Sequence, residues 1–300
     1  MNFDFHNIRS CEFGVGRDLE GGAQEFISVP AGAGVQDALH EMSERTWAAM
    51  QADDENPPNY SPAEKHGSTE HLILPLANEL AASMRTLHEA VNLPDDAQAL
   101  HDPGPIFCYF ARFRDSGNRR LTALRRSAQF KGVVSSRNWL VRQFEDELRL
   151  LEDRVFKLDA DFDLLVDDNS VHIWRPSGFE FAGRLQEAIR AAVPANIAVL
   201  QQSMAVVQWD TVEAYALKHP RAARYLASIR QFDNLDQITE ETLSAACVST
   251  NVEVEFENGV ANVEERHVMG FLEVLDRRRY QVELAQGQPE RFRAPSRRAL

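Results

Sequence analysis

Residues 106–130 read IFCYFARFRDSGNRRLTALRRSAQF. Residues 106–113 are a compact apolar run of strand length. Residues 115–118, Asp-Ser-Gly-Asn, carry turn chemistry. Residues 121–130 then return to an apolar, β-prone run. Strand, turn and strand in immediate succession predict an antiparallel hairpin, with no room for a crossover helix.

The pattern on either side sets the class. Upstream, residues 7–13 and 25–29 are short β-prone runs separated by the glycines of GVGRDLEGG. Residues 33–52 predict a helix, with Val35, Leu39, Met42 and Thr46 on one face; residues 76–91 predict another. Residues 53–69 read as a loop of acids and prolines, and residues 94–105 as a linker with a domain boundary. Downstream, Leu140, Phe144, Leu148, Leu151 and Val155 have helical spacing, which predicts a helix over 136–155. VFKLD, DLLV and VHIW between 155 and 174 predict three strands, the last two joined by Asp167-Asp168-Asn169. Residues 179–251 are mainly helical, with breaks near Pro194 and Pro220. Asn258-Gly259 is a strong hairpin signal, followed by a helix over 264–276. Tyr280, Val282 and Leu284 alternate with polar residues, and a turn at Gly287 and Pro289 leads into Arg291-Phe292-Arg293. The expectation is an α+β protein: an acidic N-terminal α/β region over 1–104, then a domain over 105–300. That domain holds central antiparallel strands with a helical segment and ends in a basic β-hairpin.

Composition narrows the functional classes. The chain has 300 residues, 44% of them apolar, and a net charge of −14. No apolar run approaches the ~20 residues of a membrane helix. The start lacks the pattern of a secretory signal, and Cys11, Cys108 and Cys247 are scattered. Reduced thiols in a cytoplasmic protein are expected.

Enzyme motifs are mostly absent. GVGRDLEGG and PAGAGV are neither GxGxxG nor GxxxxGK[ST], and no GxSxG elbow occurs. His66 and His71, His40-Glu41 and His88-Glu89 do not extend to a metal motif, and there is no CxxC. No cofactor, metal or catalytic residue is expected. A divergent metal-dependent nuclease using Asp163 and Asp167 is an alternative, weakened by the lack of a Glu-x-Lys on the following strand.

Clustered arginine remains. Residues 112–142 hold nine basic residues against Asp115 alone. Residues 275–300 hold seven arginines against three acids, whereas residues 1–100 hold five basic residues against seventeen acidic ones. Basic clusters in an acidic chain need an anionic partner. One reading is a groove for backbone phosphates, with Arg119, Arg120, Arg125, Lys131, Arg277, Arg278 and Arg279 as the DNA contacts. The other is ion pairing, either inside the molecule or to another subunit, which would make the protein a scaffold.

The series IFCYFARFR, VFKLDADFDLLVDDNSVHIW and GFLEVLDRRRYQVEL…RFRAPSRRAL resembles the KwaB-like proteins of the Kiwa anti-phage defence system, over residues 106–300. The resemblance implies a self-associating protein, a homodimer or higher oligomer. It implies a cytoplasmic protein recruited to the inner membrane through KwaA, a small membrane protein. It further implies DNA binding that hinders phage DNA replication and expression, without an established catalytic residue.

Overall fold

The computed structural model describes residues 1–19, 23–54, 56–97, 106–127, 141–144, 147–150 and 157–295, with backbone only for 141–144 and 147–150. The fold is α+β, in two compact units. The first comprises Met1–Tyr60 and Gly67–Gly183; the second comprises Ser61–His66 and Arg184–Leu300.

The first unit is built on an antiparallel sheet. In chain order its strands are β1 (Ile8–Asp18), β2 (Gln24–Val29), β3 (Leu72–Pro75), β4 (Ile106–Asp115) and β5 (Arg120–Arg126). A separate hairpin, β6 (Val141–Phe144) and β7 (Glu147–Leu150), follows. Then β8 (Leu164–Val166) and β9 (Ser170–Ile173) complete the sheet, in the spatial order β2-β1-β4-β5-β8-β9-β3. The expected central hairpin is present, with Phe113 opposite Leu121 and Phe110 opposite Leu124. Helix α1 (Ala33–Asp53) covers one face. Its Leu39, Met42 and Met50 pack with Val15, Tyr109, Ala111, Phe113, Ala123 and Leu165. Neighbouring strand residues face opposite sides, so Thr122 faces away from α1. There it meets His88 of α2 (Ala82–Glu89) across 2.9 Å. Helix α3 (Pro176–Ala182) ends the unit. Gly14 is required by close approach: a Cβ there would lie 2.4 Å from the Ile27 carbonyl oxygen and 2.2 Å from the Phe110 ring.

Three expectations are corrected. The boundary at 104/105 falls inside the first unit, because β4 pairs with β1 across almost a hundred residues of sequence. The acidic-to-basic shift therefore marks a change of composition within one sheet. The helix expected over 136–155 gives way to β6 and β7 where the backbone is described; Val141 pairs with Leu150 and Phe144 with Glu147. Short apolar runs there satisfy both periods, and the period of two prevails. Strand VFKLD is not formed at residues 157–159, and its first two residues lie outside the described ones. In addition, β3 takes residues that carried no strand signal.

The second unit is mainly helical: α4 (Leu185–Ala191), α5 (Val193–Ser203), α6 (Asp210–Lys218), α7 (Pro220–Ile229), α8 (Glu240–Ser249) and α9 (Val268–Leu275). Pro220 opens α7, where a missing N–H costs nothing. Thr239 and Thr242 form a capping box on α8. The core includes Ile189, Val193, Ile197, Leu200, Val212, Leu226, Ile229, Phe271 and Leu272. Two hairpins are added. In β10 (Glu255–Glu257) and β11 (Val260–Asn262), Asn258 and Gly259 have φ of 53° and 83°, as a type I′ turn needs. The terminal hairpin is β12 (Arg279–Ala285) and β13 (Gln288–Arg293). Among the described residues, no helix is long and apolar enough to cross a membrane.

Candidate nucleic-acid interface

Four described arginines of the first unit, Arg112, Arg119, Arg120 and Arg125, are engaged by its own carboxylates. Arg119 donates from Nε to Asp115 Oδ2 at 2.6 Å and from its backbone N to Oδ1 at 2.9 Å, which closes the β4–β5 turn. Arg120 donates to Asp168 Oδ1 at 3.1 Å and to the His88 carbonyl at 3.4 Å. Arg112 donates to the Ala90 carbonyl at 2.7 Å and pairs with Glu12 at 3.2 Å. Two guanidiniums thus meet the carbonyl end of α2, the negative pole of its dipole. Arg125 is ringed by Asp163 at 2.6 Å, Asp159 at 3.4 Å and Asp161 at 3.5 Å. Burial works against the Arg125 charge, but these three carboxylates outweigh it and raise the pKa. Arg126 points the other way, with its guanidinium 3.9 Å from the Phe181 ring centre. Lys131 lies outside the described residues.

Asp163 and Asp167, the carboxylates of the nuclease alternative, have separate partners. Asp163 takes Arg125, the Arg126 backbone N at 2.7 Å and Arg175 at 3.8 Å. Asp167 accepts the Asn169 and Ser170 backbone N–H groups at 2.9 and 2.8 Å and faces His172 Nε2 at 3.4 Å.

In the second unit, Arg277, Arg278 and Arg279 occupy three different environments. Helix α9 ends in a Schellman motif: Arg277 N donates to the Val274 carbonyl at 2.9 Å and Arg278 N to the Glu273 carbonyl at 2.8 Å. Arg277 is the left-handed residue of that motif, with φ of 57°. Its guanidinium reaches Asn234 Oδ1 at 2.6 Å and lies over the Phe232 ring. Arg278 is wholly buried; it donates to Asp276 Oδ2 and to the Pro295 carbonyl, each at 2.5 Å. Ser228 Oγ donates to the other oxygen of Asp276 at 2.7 Å. Arg279 lies in β12 and turns back to α9, where Nε donates to Glu273 Oε2 at 2.9 Å.

The register of the terminal hairpin sorts its side chains. Arg279 is opposite Arg293 and Gln281 opposite Arg291 on one face; Tyr280 is opposite Phe292 and Val282 opposite Glu290 on the other. The arginine face turns toward the helices. Arg293 Nη2 donates to Glu273 Oε1, and Arg291 Nε donates to the Ser249 carbonyl at 2.8 Å. Arg221, on α7, brings a third guanidinium to Glu273, 3.6 Å from Oε1. Glu273 is 1% exposed, whereas Arg221 and Arg293 are 60% and 52% exposed. Three cations share one buried carboxylate, so positive charge is left over at the surface. Arg221 carried no signal in the sequence, because α7 lies outside either basic block.

These features describe an α+β protein with a guanidinium cluster at the foot of a terminal hairpin. The chain belongs to the Kiwa protein KwaB-like family, whose model matches residues 105–285. The matched span runs from the start of β4 to the end of β12 and includes Arg221, Glu273 and Arg279. Membership implies a role in Kiwa anti-phage defence. No curated protein matches the chain, and no solved structure does.

Proposed function

We propose that this protein is a non-catalytic DNA-binding effector of Kiwa defence, and that Arg221 and Arg293, beside Arg279, make its main phosphate contacts. It acts with a KwaA-like membrane protein, which recruits it from the cytoplasm, and as a homodimer or higher oligomer. Bound DNA is then hindered in replication and expression. The observation that carries this reading is the convergence of three guanidiniums on the single buried carboxylate of Glu273. Arginine forks match phosphate oxygens, and each contact neutralises backbone charge and releases counterions.

The first unit is a poor place for a polyanion. Most of the chain's net charge of −14 lies there, and among its described arginines Arg112, Arg119, Arg120 and Arg125 already meet carboxylates or helix carbonyls. Local patches rather than net charge decide where DNA docks.

Gel shift of the full chain on short and long duplex DNA tests the reading. Binding at low salt is expected, with strong loss in the Arg221→Ala/Arg293→Ala double variant. No binding at low salt, or no loss in a folded double variant, overturns it.

A further inference from the structure

We infer that the outward face of the terminal hairpin is a stacking platform for unpaired bases, so that single-stranded or frayed DNA is preferred over intact duplex. The inference rests on the DNA-binding reading and adds the form of the nucleic acid.

The hairpin is turned opposite to the usual amphipathic arrangement. Its arginines point to the helices, and its aromatic pair points to solvent. Tyr280 and Phe292 stack with ring centres 5.6 Å apart and planes 21° apart. They stay 46% and 42% exposed, and Leu284, further along β12, is 93% exposed. Each ring has one face against its neighbour, which leaves an outer face for a base. Each ring also sits next in sequence to a guanidinium of the Glu273 cluster, Tyr280 beside Arg279 and Phe292 beside Arg293. Glu290 lies opposite Val282 on the aromatic face. A carboxylate there repels phosphate and leaves neutral base faces as the fitting occupant, while the backbone follows the charge of Arg221 and Arg293.

In duplex DNA the base faces are already stacked on each other. An aromatic platform gains nothing from them unless the strand is opened. On an open strand, stacking strengthens binding roughly tenfold per base, with little sequence preference. The phosphate contacts, in contrast, serve both forms.

The test uses the full chain with a labelled oligonucleotide as single strand, as duplex and as a fork. The wild type is expected to bind the single strand and fork at least fivefold more tightly than the duplex. Tyr280→Ala/Phe292→Ala is expected to remove that preference with less than a twofold effect on the duplex. Arg221→Ala/Arg293→Ala is expected to weaken all three. Tyr280→Trp keeps the platform; its indole fluorescence is expected to be quenched by single strand and not by duplex, which supplies a reading independent of the alanine variants' folding. Equal or tighter duplex binding by the wild type overturns the inference and leaves the DNA reading intact. Binding of neither form overturns both. Loss of self-association in the aromatic variant, with no change in strand preference, assigns the face to a second copy of the chain and also overturns the inference.

Discussion

Arg278 donates from Nε to Asp276 Oδ2 at 2.5 Å, and neither side chain reaches solvent. The middle arginine of the most basic stretch is thus an internal counter-ion that ties the end of α9 to the segment after β13. Removing it leaves Asp276 buried with, among the described residues, the Ser228 hydroxyl as its side-chain partner. Arg278→Ala is expected to lower unfolding free energy by about 3–5 kcal/mol, measured by urea denaturation. Replacing both residues with apolar ones of similar volume should recover much of that loss, because the desolvation cost of both charges disappears.

Arg125→Ala should separate stability from binding. It strips Asp163 of its nearest cation, while Arg175 and the Arg126 backbone N–H remain. The expected cost is about 3 kcal/mol. Once the variant is confirmed as folded, its DNA affinity should match the wild type. A large affinity loss at unchanged stability would place the phosphate contacts in the first unit.

Two glycines give opposite signs for the same change. Gly14→Ala drives a Cβ against the Ile27 carbonyl and the Phe110 ring, so it should destabilise by at least about 1–3 kcal/mol. Gly34 lies in the first turn of α1 with nothing within 4 Å of an added Cβ. Gly34→Ala should stabilise by about 0.5–1 kcal/mol. Thermal melts of the two variants check both signs.

Acid should weaken the first unit from near neutral pH. His88 is buried between Thr122 and Asp168, and burial holds its pKa below the ordinary 6.5. His71 is lowered for the same reason. In the unfolded chain both take up a proton near pH 6.5; in the fold they do so only at lower pH. The unfolded state therefore binds more protons in that window, and stability falls as pH drops below about 6.5. Urea midpoints between pH 7.5 and about 5 should decline, and His88→Gln should flatten the decline. A midpoint that rises on acidification would contradict the assignment.

Much of the architecture was legible in the residues. The β4–β5 and β10–β11 hairpins follow from turn chemistry between apolar runs, and α1 from its stripe of Leu39, Met42 and Met50. Residues 141–150 were not legible, because the same leucines and phenylalanine fit a period of 3.6 and one of 2. Arg125 and Arg126 are adjacent on β5, so strand alternation puts them on opposite faces, and they have separate partners. What each arginine touches was not legible. Arg120 meets Asp168 across 48 residues and Arg293 meets Glu273 across 20, and no local pattern encodes such pairs. The Arg277–Arg279 run looked like one patch, yet the Schellman turn at Arg277 sends three neighbouring side chains to three places.

The salt dependence of DNA affinity tests the central claim most directly. Anisotropy titrations of wild type and Arg221→Ala/Arg293→Ala should be run on one duplex across a range of salt. The wild type should lose affinity steeply, and the double variant should bind more weakly with a log–log slope shallower by about 1.8, two phosphate contacts at ~0.9 each. An unchanged slope in the folded double variant, or wild-type binding indifferent to salt, would contradict the account.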